Sequence, residues 1–198
     1  MGQYYNILTK KNNKYTVYDR SLTDKDGNNH YMLAKLTEHS WIGNTTMTSF
    51  SNIIFQNPMQ IAWVGDYCDD LDNVIHVNNL TDKQIKQLHK IGHHSKIEHS
   101  LDIHPLDTKY MLLVNWTKKE YLSMYEYIKE CTIDEWCLHP LSLLTALGNG
   151  LGGGDYHGIN QDDVGIWCFD KISFELDDCE DELTSQGFNK VEYTFKEN

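Results

Sequence analysis

Apolar and polar positions alternate over residues 3–9, a polar stretch at 10–14 interrupts them, and Tyr15, Val17 and Tyr18 resume the pattern, which predicts an opening β-hairpin. After a polar loop at 24–29, a third extended piece around residues 31–36 leads into Glu38-His39-Ser40-Trp41-Ile42-Gly43-Asn44. The period then changes. Met47, Phe50, Ile53 and Ile54 recur at helical spacing, with Asn44 or Thr45 as N-cap and Pro58 as the stop, so a helix is expected over about residues 46–56. Ile61-Ala62-Trp63-Val64 is a continuous apolar run that discharges into Gly65-Asp66-Tyr67-Cys68-Asp69-Asp70, the signature of a strand buried on both faces that ends in an acidic loop. Ile85, Leu88 and Ile91 suit an amphipathic helix over 81–91 capped by Thr81 or Asp82, and the polar, histidine-rich residues 92–108 read as a long loop.

The second half begins with another hairpin, strands at 110–114 and 120–124 about a turn at 115–119. The pattern is ambiguous through Cys131 and Trp136. Pro140 breaks it, and the apolar residues 141–146 feed a loop unusually rich in glycine. Residues 164–169, 172–176 and 190–195 read as closing strands, the last two separated by the acidic run 177–182. Strands outnumber helices and are joined by hairpins. The expected architecture is a single α+β domain over residues 1–198, a mainly antiparallel sheet with two or three helices.

Composition supports one compact core: 198 residues, 40% hydrophobic and 12% aromatic, are enough to build it and exclude general disorder. Charge narrows the partners. The net charge of −12 comes from 29 acids against 17 bases, and Arg20 is the only arginine, which disfavours nucleic acid. A phosphate ligand would need lysine, backbone N–H groups or a bridging cation, whereas a basic protein partner would be steered in by the same field. The sparse arginine also fits an AT-rich genome. No run approaches the eighteen or so apolar residues of a membrane span, and Met1-Gly2-Gln3-Tyr4-Tyr5 lacks a charged-then-apolar leader. Asn6 stands where a myristoylation signal wants Ser or Thr. Five cysteines, odd in number and without C-x-x-C spacing, fit free thiols in a reducing cytoplasm.

Seven of the thirteen glycines fall between residues 148 and 165. Glycine loses the most backbone entropy on folding, so such a loop is either a solvated surface loop or one held for positive φ and close backbone approach to a ligand. Gly148, Gly150 and Gly153 satisfy G-x-G-x-x-G, but no helix pattern follows Gly154, which argues against a dinucleotide site. In the ligand-gripping reading, Asn149, Gly150, Gly152, Gly153, Gly154, Asp155, Tyr156 and His157 line a pocket with their amides and polar side chains.

Candidate chemistry lies in the carboxylates at strand-to-loop transitions. Glu38, Asp66, Asp69, Asp70 and Asp155, if they converge, can hold a divalent cation such as Mg²⁺ or Ca²⁺, or divide into a general acid and base; dispersed, they are a solvated acidic rim. His139, before Pro140, is either a base or a core histidine bonded to backbone. His89 and His93, one helical turn apart and followed by His94, His99 and His104, have zinc-competent spacing but no Glu after the first His, and read as solvated loop histidines. Cys137 and His139 share one face of a strand at about seven ångströms, beyond the reach of a nucleophile–base hydrogen bond.

The blocks M-G-Q-Y-Y at 1–5, E-H-S-W-I-G-N at 38–44, W-V-G-D-Y at 63–67 and H-P-L-x-L-L-T-A-x-G-N-G-x-G-G-G-D-Y at 139–156 resemble an uncharacterised family of bacterial and phage proteins. The resemblance covers about the whole chain, implies one cytoplasmic domain whose polar loops belong to one scheme, and brings no chemistry with it. The site expected from the residues is therefore a small-molecule site. Glu38, Asp66, Asp155 and His139 are its candidate catalytic groups, and Trp41, Asn44, Tyr67, Tyr156, His157 and the glycine loop are its ligand-binding groups. The aromatics would stack a base or sugar ring, which suits a nucleotide-like ligand and a hydrolytic step. The alternative is an acidic protein-interaction factor, such as an immunity or anti-defence protein, acting through residues 175–182.

Overall fold

The computed structural model describes residues 3–18, 21–23, 29–31, 35–68, 80–88, 107–131, 137–148 and 159–195. In chain order the elements are β1 (Tyr5–Lys11), β2 (Lys14–Tyr18), β3 (Ser21–Thr23), β4 (Asn29–Tyr31), α1 (Leu36–His39), α2 (Thr45–Ile54), β5 (Met59–Gly65) and α3 (Asp82–Leu88). They continue with β6 (Met111–Asn115), β7 (Glu120–Ser123), α4 (Met124–Glu130), α5 (Pro140–Leu144), β8 (Ala146–Leu147), β9 (Lys171–Leu176), α6 (Glu180–Ser185) and β10 (Asn189–Lys190). Eight strands form one sheet in the order β10-β7-β6-β9-β5-β1-β2, with β8 also on β5, while β3 and β4 pair separately. Among the described pairs only β5–β8 and β7–β10 are parallel. The chain is thus an α+β protein with a mainly antiparallel sheet, as its pattern predicts.

Local chemistry explains the elements that were legible. The first hairpin closes on Asn12 and Asn13 with φ of 49° and 60°, the left-handed pair that matches the twist of two antiparallel strands. In the second, the Asn115 side chain accepts from the N–H groups of Thr117 and Lys118, both at 3.0 Å, and Lys119 supplies the positive φ. Asn44 caps α2, its side-chain oxygen accepting from Met47 N at 3.4 Å. Thr81 and Gln84 form a reciprocal capping box at the start of α3.

Six helices are present among the described residues, more than the two or three expected, because α1, α4, α5 and α6 have only four to seven residues and never complete a readable period. Leu36 starts α1 and does not end an extended piece. Residues 164–169 are turns, not a strand. Of the last expected strand, residues 190–195, only Lys190 lies in a strand, the two-residue β10 that pairs with β7. Residues 89–106, with their five histidines, and Asp69 and Asp70 lie outside the described residues.

Both faces of the sheet are buried, which is why β5 carries a continuous apolar run. Ile7, Ile61, Trp63, Leu113 and Phe174 point to the side covered by α2, α4 and α5, where Phe50 meets Trp63 edge-on with ring centroids 5.5 Å apart. Leu8, Val17, Ala62 and Val64 point the other way, onto Leu80 and Leu88 of the α3 region, and Leu112 and Val114 pack on Leu183 of α6. Cys131 and Cys137 form a disulfide across a Cα separation of 5.6 Å, which corrects the expectation of free thiols at those two positions; Cys68, Cys168 and Cys179 are not in a disulfide. No helix among the described residues is long and apolar enough to cross a membrane.

Candidate functional site

Strand β5 changes partner halfway along one edge. Met59 and Gln60 pair antiparallel with Ile172 and Lys171 of β9, and then Trp63 and Val64 pair in parallel with Ala146 and Leu147 of β8. Between these ladders the backbone of Ile61 is satisfied by the end of the 161–170 segment: its N–H donates to Asp170 O at 3.1 Å and its carbonyl accepts from Phe169 N at 2.6 Å. The same segment folds over α5, with Gly165 N donating to Leu143 O at 2.8 Å and Trp167 N to Leu144 O at 2.7 Å. The sheet forks here.

An open cleft of about 280 Å³ lies in the fork, lined by Ala146, Leu147, Gly148, Gln161, Val164, Gly165 and Cys168. Gly165 makes its floor possible. Its φ is +79°, and a Cβ there would sit 2.5 Å from the Ala146 carbonyl oxygen, so both conformation and space demand glycine. Cys168 is a thiol at neutral pH, pushed up to about 12 first by burial and then by neighbouring Cys68 and Asp170. It contributes a weak hydrogen-bonding wall and not a nucleophile.

Because β5 and β8 run parallel, their C-terminal ends leave the sheet on the same side. The first delivers Gly65 and Asp66, the second Gly148, where the glycine loop begins. Asp66 is 8% exposed and tied to the first strand's approach, donating from its N–H to Tyr4 O at 2.8 Å and accepting from Tyr4 N at 2.9 Å on Oδ1. Its Oδ2 is buried without a hydrogen-bond partner. A buried acceptor of that kind carries a desolvation penalty of roughly 1–3 kcal/mol that a donor or cation would relieve. Tyr67 beside it is 42% exposed. Asn149, Gly150, Gly152, Gly153, Gly154, Asp155, Tyr156 and His157 lie outside the described residues.

A second group of expected site residues sits on a two-stranded ribbon at the other end of α5. Trp41 bridges Leu138, Ile42 N donates to Cys137 O at 2.8 Å, and His139 N donates to Ser40 O at 2.7 Å. Glu38 gives both carboxylate oxygens to Lys35 Nζ, at 2.7 and 2.8 Å, in an ion pair half open to solvent. The Asn44 amide oxygen is engaged as the α2 cap. Trp41 is half-buried, its ring centroid 6.4 Å from that of His39.

His139 is 1% exposed, stands edge-on to Phe174 with centroids 6.0 Å apart, and caps α5 by accepting from Leu141 N on Nδ1 at 3.2 Å. Pro140 follows at the first helical position, where its missing N–H costs nothing. Burial lowers the imidazole to about 3, so it is neutral with its proton on Nε2, which meets no partner. A base role would require breaking the cap bond. The disulfide at Cys137 removes any Cys–His pair from consideration.

The fold therefore joins Asp66 to the root of the glycine loop, and separately joins Trp41 to the His139 segment through the ribbon. Among the described residues no three His, Cys, Asp or Glu side chains are grouped to hold a metal ion. The cleft residues Gln161, Val164, Gly165 and Cys168 were missed by sequence reasoning; the signal available was Gly165 inside an apolar run, which marks a backbone break in what otherwise reads as a strand. No protein-family model, curated protein or solved structure matches the chain.

Proposed function

We propose that the chain binds a small, nucleotide-like ligand at the fork of its sheet. The observation that carries the reading is the parallel register of β5 and β8, which sends Asp66 and the start of the glycine loop out of the sheet side by side, next to an open cleft. In open α/β sheets ligands sit at the carboxyl ends of parallel strands where the strand order switches, and the two-residue pairing of β8 on β5 gives this mainly antiparallel sheet a local version of that arrangement.

The lining sets the ligand's character. Its side chains are apolar at Ala146, Leu147 and Val164, uncharged at Gln161 and Cys168, and absent at the two glycines, so the cleft suits a neutral, largely planar group whose edge can bond to an amide and to backbone. At about 280 Å³ it sits at the foot of the roughly 300–1,000 Å³ range of ligand pockets, enough for one base or sugar and too little for a dinucleotide. Beyond the cleft lining, the buried, unpartnered Oδ2 of Asp66 would accept a ligand hydroxyl or hold a divalent cation once a ligand reached it, and glycine-loop amides would donate to an anionic group in a chain whose only arginine is Arg20. If a hydrolytic step follows, Asp66 and Asp155 are the carboxylates to carry it.

Thermal-shift and turnover measurements with nucleosides and nucleotides, each with and without Mg²⁺, test this. Stabilisation is expected for the parent protein and its loss for Val164→Trp, which fills the cleft. Absence of both shift and turnover across the panel, or stabilisation undiminished by Val164→Trp, overturns the reading.

A further inference from the structure

Four large hydrophobic side chains are exposed among the described residues, and three of them, Tyr110, Tyr125 and Leu176 at 53%, 49% and 39%, belong to one region. Tyr110 ends the 3₁₀ turn Thr108–Tyr110 that leads into β6, and α4, carrying Tyr125, packs against that turn. The Lys109 ammonium binds the two rings into one patch, 5.6 Å from the Tyr110 centroid and 5.7 Å from that of Tyr125. Leu176 lies opposite Met111 in the β6–β9 register and shares its sheet face with Ile172 and Phe174, the face that α4 covers. An exposed aromatic patch with a polar rim is the anatomy of a protein-docking surface, since tyrosine contributes large contact area with little side-chain entropy to lose.

Charge selects the occupant. Asp107, Asp177 and Asp178, beside Tyr110 and Leu176 in the chain, are exposed at the patch, against Lys109, already held between two rings, and Lys129. A second copy of the chain would bring its own excess of twelve negative charges to this rim, so self-association here is opposed. We infer that the Tyr110–Tyr125–Leu176 surface docks a basic protein segment in which lysine or arginine alternates with apolar side chains, the apolar groups seated on the tyrosines and Leu176 and the cations meeting the acidic rim. This surface is separate from the fork, and neither proposal requires the other.

The test uses a short fluorescent peptide alternating Lys and Phe, with Lys/Ser and Glu/Phe versions as comparisons, titrated by anisotropy. The Lys/Phe peptide is expected to bind most tightly, to weaken as salt rises, and to lose about tenfold in affinity to Tyr110→Ser/Tyr125→Ser, two contacts that are each smaller than a fully buried hot spot. Both tyrosines are exposed, so that variant should melt as the parent does; Asp177→Asn/Asp178→Asn is a second variant expected to slow association while leaving the fold alone. Equal binding of Lys/Phe and Lys/Ser peptides, or undiminished binding by the tyrosine variant, would mean simple attraction to an acidic protein and would overturn the proposal. So would sedimentation showing a dimer that the tyrosine variant dissolves.

Discussion

His139 makes the stability of this protein sensitive to mild acid. In the folded chain burial holds its imidazole at about 3, against 6.5 when solvated, and the proton it would gain has to go on Nδ1, the atom that accepts the Leu141 N–H. Between those two values the unfolded chain binds a proton that the folded chain refuses, so the contribution is fully present above about pH 6.5 and drains away as pH falls towards 3. At about pH 5 the loss is RT ln(1 + 10^1.5), about 2 kcal/mol, and it depends almost entirely on the unfolded value because the folded group is still neutral there. The limiting loss at lower pH approaches about 5 kcal/mol at 1.36 kcal/mol per pKa unit. His139→Asn removes the titration while keeping an acceptor suited to the N-cap, and whatever packing on Phe174 it forfeits does not vary with pH. Urea denaturation of both proteins at about pH 7.5 and about pH 5 isolates the effect. Groups such as Glu175, whose carboxyl burial pushes up and which therefore opposes acid loss, are common to both and cancel in the difference. Parent minus variant should change by about 2 kcal/mol between the two pH values; a change under about 0.5 kcal/mol would refute a buried neutral histidine at this cap.

Other consequences can be measured on the same material. Gly165→Ala forces a methyl group into a left-handed backbone position and against the Ala146 carbonyl, so it should cost about 2–3 kcal/mol in urea denaturation, and wild-type stability in this variant would refute the tight floor of the cleft. Closing the short loop between Cys131 and Cys137 is worth about 2 kcal/mol by chain entropy, so Cys131→Ser/Cys137→Ser should lower the urea midpoint accordingly. Denatured, unreduced protein should titrate three thiols and reduced protein five; five before reduction would rule the bridge out.

The elements legible from sequence are those whose cause is local. Asn12 and Asn13 can adopt positive φ with little strain, Asn44 can cap whatever helix follows it, and the run from Ile61 to Val64 has no stable place except a strand covered on both sides. The same holds for part of the site: an acid placed directly after that buried run, as Asp66 is, stands at a strand end. His139 was legible only in outline. Its place before Pro140 suggests a helix start, but the burial that makes it a cap comes from Phe174, brought in by β9 from further along the chain. Glu38 reads as a loop carboxylate in the sequence, and in the fold a one-turn helix puts Lys35 within reach of both its oxygens.

The fork was not legible, because nothing local causes it. Val164, Ile166 and Trp167 have strand composition, yet the segment wraps through turns since the edge of β5 beyond Ile61 is already taken by β8, and Gly165 lets the backbone pass close over the Ala146 carbonyl. The direction of β8 is what gives this detail its consequence. Its two residues add little pairing energy, but an antiparallel strand at the same position would send Gly148 back towards Met59, away from Asp66. Running parallel, it brings Asp66 and Gly148, which are distant in sequence, out at the same end of β5, and this follows from a chain direction fixed by Trp63–Ala146 and Val64–Leu147, not from the glycine content that follows Gly148.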